Sequence, residues 1–236
     1  MAGPEVVGRH FDSLGTVWVI DAATRLGFDL HDPFSAWPTG ATYSAIDSWI
    51  LFPLAWLGND FSPAVLHGWM QILGVSTSSF AISRFAAALG AKTPFHCVAG
   101  LLFMGSGLAA SAMLEGHVYQ ILIPWLPLMA LYLWKMQQPD TRLHHGALAG
   151  VFFSFSLFTS GYIGIAAGLV GVGMGVPVLI RSPNRKPIML TALIAVCSAA
   201  LYVYLFQSVG QPGASHANSD TLRMGSLSLS SLGPPS

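Results

Sequence analysis

Charge is what this chain most lacks. Its 236 residues carry 10 Lys+Arg and 10 Asp+Glu, 8% of the sequence, where soluble domains carry about 25%. So few bases cannot form the clustered footprint that a nucleic-acid binder needs, so no nucleic-acid partner is expected. The 53% hydrophobic content in turn excludes a disordered chain. Cysteine is almost absent as well. Cys97 and Cys197 each lie in an apolar run, where free thiols behave as small buried hydrophobes, so neither a disulfide framework nor a zinc site is expected. The first eight residues also lack the basic stretch and apolar core of a signal peptide.

What the chain has in quantity is apolar length. A crossing of about 30 Å of hydrocarbon takes roughly 17–25 residues, and six stretches qualify: 62–89, 94–114, 118–134, two within 146–180, and 187–207. The first is interrupted by Gln71 and by Ser76-Thr77-Ser78-Ser79. The third carries Pro124 and Pro127, which a membrane helix absorbs when its neighbours satisfy the freed carbonyls. The run 146–180 is too long for one crossing and divides near Ser160-Gly161-Tyr162. A shorter apolar piece, 49–57, reads as re-entrant or interfacial. The expected fold is therefore all-α, a polytopic transmembrane bundle of about six spans. An extracytoplasmic loop region (1–61) precedes the helical domain (62–208), and a Ser/Gly/Pro-rich tail (209–236) follows it.

The few charges are sorted by position. Lys and Arg gather on cytoplasmic loops. If the first span runs inward, three cytoplasmic turns hold Arg84, Lys92, Lys135, Arg142, Arg181, Arg185 and Lys186, seven of the ten bases. The opposite turns, Glu115-Gly116-His117 and Ser160-Gly161-Tyr162, hold none. That orientation puts seven of the ten acids outside: Glu5, Asp12, Asp21, Asp29, Asp32, Asp47 and Asp60. So acidic a segment needs something ahead of it to carry it across, which leads us to expect a helix missing before Met1 and a chain that is a fragment, its tail cut short. The expected location is the inner (plasma) membrane, multi-pass, with membrane lipids as partners.

Three elements fall on the outer side in this topology: Asp12 with its neighbours, the turn Trp37-Pro38-Thr39-Gly40, and Glu115-Gly116-His117-Val118-Tyr119-Gln120. Carboxylate, imidazole and amide at a membrane rim can serve as general bases, and oxygen donors with one His suit Mg²⁺ or Mn²⁺. The order Asp12-Ser13-Leu14 with Trp18, then Trp37-Pro38-Thr39-Gly40, then Glu115-Gly116-His117 followed by Trp125-Leu126-Pro127-Leu128 resembles bacterial membrane proteins of the GT-C glycosyltransferase superfamily. The resemblance covers about residues 12–207.

The resemblance implies a lipid-phosphate-linked sugar donor and transfer on the extracytoplasmic face. Asp12 matches the acid of the first outer loop, acting as base or metal contact. Glu115 and His117 match the Gly-His element after the third family helix. Trp37, Gly40, Tyr119, Gln120 and Tyr162 are then the expected substrate contacts. The chain departs from the pattern in lacking the first helix and in having a single acid in place of Asp-x-Asp. Two other readings stay open, a transporter or flippase for a lipid-linked substrate and a non-catalytic membrane protein.

Plainer roles account for most other polar residues. Asp29-Leu30-His31-Asp32 fits turn formation better than cation binding, and Asp47 fits a helix cap. His67 and His96 read as core or interfacial histidines, and His144-His145 as a lipid-headgroup contact. Gly164/Gly168 and Gly171/Gly175 have the spacing of close helix packing, and the tryptophans that of an interfacial belt.

Overall fold

The computed structural model describes residues 60–181 and 184–209, with residues 16–17, 20–21, 24, 31–32 and 41–42 upstream of them. Among the described residues the fold is helical, apart from one two-residue ladder. There β1 (His31–Asp32) runs antiparallel to β2 (Ala41–Thr42), with His31 opposite Thr42. The interfacial piece expected at 49–57 and the tail beyond Val209 lie outside the described residues.

The first expected span is one unbroken helix, α1 (Pro63–Ala88). The Ser62 hydroxyl accepts from the Val65 N–H, and Pro63 sits in the first turn, where its missing N–H is no loss. Gln71 and the Ser/Thr run do not break it. Thr77 and Ser79 donate their hydroxyls to carbonyls one turn back, Leu73 and Val75, each at 2.7 Å.

The second and third expected spans are not continuous. α2 (Phe95–Met104) and α3 (Gly107–Glu115) part at Gly105 and Ser106, and the Ser106 hydroxyl caps α3 by accepting from the Ala109 N–H. α4 (Val118–Ile121) ends after one turn, and α5 (Trp125–Lys135) starts afresh. Pro124 is therefore not absorbed within a helix, as the sequence led us to expect, but precedes α5. Pro127 falls in the first turn of α5, where an N–H has no intrahelical partner to lose. α6 (Leu143–Thr159) and α7 (Gly161–Arg181) part at Ser160, as expected, and α8 (Lys186–Val209) completes the order.

α6 is the centre of one half of the bundle, packed by α5, α7 and α8, while α1 packs on α2, α4 and α5. Met129, Leu133 and Met136 of the α5 region meet Ala149, Ala167 and Val178 in the larger core cluster, and Val75, Ala112 and Ile121 form a smaller one. Glycine sets the α6–α8 distance: a Cβ on Gly150 would stand 2.8 Å from Ile194 Cβ, and one on Gly146 would overlap the Pro187 backbone. The glycines expected to pack α7 do so only in part. Gly164 abuts Leu157 and Gly175 meets Ile188, but Gly168, Gly171 and Gly173 face open space.

Three helical stretches are long and apolar enough to cross a membrane: Phe95–Glu115, which bends at Gly105, then Gly161–Ile180 and Lys186–Tyr204. Their outward faces are apolar. Ile165, Leu169 and Val172 of α7 are 65–71% exposed, as are Met189 and Val196 of α8 at 65% and 67%. Water would reject such faces, and lipid requires them. The chain is a membrane protein on this ground. Cys97 and Cys197 share these outward faces, exposed rather than buried within the bundle as the sequence suggested, and both are free thiols.

Candidate functional site at the Glu115–His117 turn

Gly116 makes the turn possible. It closes α3 at φ 77°, a left-handed conformation that costs glycine nothing, while the His117 N–H reaches back to the Ala112 carbonyl at 2.9 Å. This reversal brings residues 115 and 117 to one side. His117 Nδ1 stands 3.3 Å from Glu115 Oε2, and the Ser111 hydroxyl donates to Glu115 Oε1 at 2.9 Å. The Glu115 side chain is 46% exposed and that of His117 16%. A carboxylate and an imidazole thus meet at the edge of the bundle, the carboxylate half in reach of solvent.

Behind the turn lies a polar stripe of α1. His67, Gln71, Gly74 and Ser78 recur every three to four residues and so share one helix face. His67 and Gln71 are 0% and 1% exposed. Gln71 Nε2 donates to the Met113 carbonyl at 3.3 Å and stands 3.4 Å from His67 Nε2. A hydrogen bond to the Gly116 backbone engages the His67 ring. Gln71 Oε1 has no hydrogen-bond partner among the described residues. Below them a Cβ at Gly74 would touch the Leu122 N at 3.3 Å, and Ser78 engages the break between α4 and α5. The sequence pointed to neither His67 nor Gln71 as functional. The signal available was their spacing with Gly74 and Ser78, inside a stretch that reads as a poor membrane span.

The N-terminal segment touches the same turn. The Thr16 hydroxyl donates to the Gly116 carbonyl at 3.3 Å, and Ile20 is fully buried. Asp12, Trp37 and Gly40 lie outside the described residues. Tyr119 and Gln120 belong to α4, the Gln120 N–H donating to the His117 carbonyl at 3.0 Å. Tyr162 is 81% exposed at the start of α7 and is not part of this buried cluster.

Among the described residues no group of three or more His, Cys, Asp or Glu side chains could hold a metal ion. A Mg²⁺ or Mn²⁺ site of the expected kind would draw on Asp12. His96 takes the plain role assigned to it, contacting Ser83 at 3.1 Å and Thr93 at 2.9 Å. On the opposite end of the bundle His145 Nδ1 accepts the Arg142 N–H at 3.3 Å, its ring edge-on to His144 with centroids 4.3 Å apart.

The fold thus defines a helical membrane protein with a polar cluster at one helix break. No family model, curated protein or solved structure matches the chain.

Proposed function

We propose that the chain is a GT-C-like membrane glycosyltransferase of about six crossings that moves a sugar from a lipid-phosphate donor on the extracytoplasmic face of the plasma membrane. The observation that carries the reading is the Thr16 contact with Gly116, which ties the segment four residues past Asp12 to the Glu115–His117 pair. The charge asymmetry supports the orientation, and the resemblance supports the chemistry.

In this reading an acceptor hydroxyl attacks the anomeric carbon. The bond from that carbon to the phosphate oxygen breaks, and the lipid phosphate leaves with the electron pair. The Asp12 carboxylate takes the hydroxyl proton and later returns it to water. Glu115 and His117 orient the acceptor beside it. A divalent cation, if bound, would neutralise charge on the departing phosphate.

The test is transfer from radiolabelled polyprenyl-phosphoryl sugars by membranes containing the protein. Asp12→Asn should abolish transfer while leaving membrane insertion intact, and Glu115→Gln should lower it by about tenfold, the effect of one weakened orienting hydrogen bond. Unchanged transfer by Asp12→Asn would sink the assignment.

A second reading is favoured by one feature, the interrupted helix between Ile121 and Trp125 facing the polar side of α1. Broken helices opposite polar side chains are the binding elements of many transporters. Flipping of a lipid-linked sugar in proteoliposomes, with no covalent product, would favour a flippase over a transferase.

A further inference from the structure

Two helices begin side by side at one end of the bundle, and both begin with bases. α6 and α8 run parallel there: Gly146 packs on the Pro187 backbone, and the Thr191 hydroxyl donates to the Gly146 carbonyl at 2.9 Å. This contact brings Arg142 and His144 next to Arg185 and Lys186, and all four are exposed. Lys135, at the end of α5, belongs to the same group. With His144, Arg142 and Asp140 it acts electrostatically on His145. A helix start is the positive end of the peptide dipoles and favours acids, yet neither α6 nor α8 has an acid in its first turn. Asp140 is the only acid at this end among the described residues, against the four bases Lys135, Arg142, Arg185 and Lys186. Among the described residues, none of Arg142, Arg185 and Lys186 forms an ion pair.

A positive rim of this kind attracts an anion, and the apolar surface next to it decides which. Lys186, Met189, Leu193 and Val196 follow at steps of three and four residues and so share one face of α8. The last three are 60–67% exposed. That face therefore carries charge at its start and bare hydrocarbon below it, the same division as in a phospholipid.

We infer that the starts of α6 and α8 form a site for an anionic phospholipid, its phosphate between Arg142–His144 and Arg185–Lys186 and its acyl chains along Met189, Leu193 and Val196. Basic pockets between membrane helices at the bilayer surface recognise such headgroups. A soluble phosphate would leave the apolar face uncovered, and a zwitterionic lipid would bring its own cation into the rim. The site lies at the opposite end of the bundle from the Glu115–His117 turn and does not depend on the transfer reaction.

The test is native mass spectrometry of the full chain in detergent, with equal amounts of phosphatidylglycerol and phosphatidylcholine. Phosphatidylglycerol should be retained in preference. Arg185→Gln and Lys186→Gln should each weaken its retention about fivefold, the value of one base near the bilayer surface. Asp140→Asn, which removes the opposing charge, should strengthen retention, a gain that misfolding cannot mimic. Arg84→Gln with Lys92→Gln removes two exposed bases near the α1–α2 turn and should change nothing. Soluble glycerol phosphate should not displace the lipid. If the two lipids are retained equally, the inference falls, and that arm needs no variant. Equal losses from the Arg84/Lys92 and Arg185/Lys186 pairs would reduce the attraction to diffuse charge and overturn the site. Displacement by glycerol phosphate would make it a phosphate site with no role for the acyl chains, which also overturns it.

Discussion

Ser78 holds together the break between α4 and α5. Leu122, between α4 and Pro124, has φ −82° and ψ 67°, the geometry of an inverse γ-turn, and the Ile123 N–H reaches the Ile121 carbonyl at 2.9 Å. Ser78 Oγ, fully buried on α1, donates to that carbonyl at 2.7 Å and accepts from the Ile123 N–H at 3.0 Å. Ser78→Ala removes both bonds and leaves only the contact within the turn. Hydrogen bonds between membrane helices average about 0.6 kcal/mol and those in water-soluble proteins about 1 kcal/mol. Two of them give an expected loss of about 1–2 kcal/mol. Thr77→Ala is the control, because its hydroxyl bonds only within its own helix, to Leu73 and Gly74, and it should change stability by less than about 0.5 kcal/mol. Unfolding in mixed detergent micelles, followed by circular dichroism, measures both. If Ser78→Ala costs no more than Thr77→Ala, the α1 clamp on the break is not what positions residues 115–124, and the geometry argued for the site loses its support.

Gly146→Ala should disrupt the α6–α8 contact, since its Cβ would meet the Pro187 backbone, which cannot rotate away. A loss of about 1–3 kcal/mol or failure to fold is expected. Gly171→Ala, facing open space on α7, should be neutral or stabilise by up to about 1 kcal/mol, and the same micelle assay compares the two. At the other end of the bundle, burial and then the neighbouring His144 and Lys135 lower the pKa of His145. The folded protein thus holds this proton less tightly than the unfolded chain. Stability should be full above the ordinary histidine value of about 6.5 and should fall as pH drops through it toward the lowered value. His145→Asn should flatten that dependence in melts between pH 7.5 and 5, and an unchanged slope would count against the histidine. Alkaline phosphatase fused after Gln138 should be inactive and after Gly116 active; activity at the first position would reverse the proposed orientation.

How far the sequence could be read depended on the kind of signal. Helix content and membrane character come from composition, which needs no knowledge of neighbours, and both hold. The division at Ser160 was also legible. The continuity of the span at 118–134 was not. Proline tolerance inside a membrane helix depends on whether adjacent side chains satisfy freed backbone groups, and here Ser78 satisfies a full break instead. Glu115 and His117 were readable as a pair because both lie in one short turn between two apolar stretches. His67 and Gln71 looked like polar blemishes in a weak span.

Composition by itself determined that this is a helical membrane protein, because the cost of ions in hydrocarbon acts on each residue separately. Only the tertiary structure decided that the poorest span is an unbroken helix and that its polar stripe lies against broken ones. That pairing joins residues more than forty positions apart (Gln71 with Met113, Ser78 with Ile121). A hydrogen bond of that kind depends on where two helices meet, which local pattern does not encode.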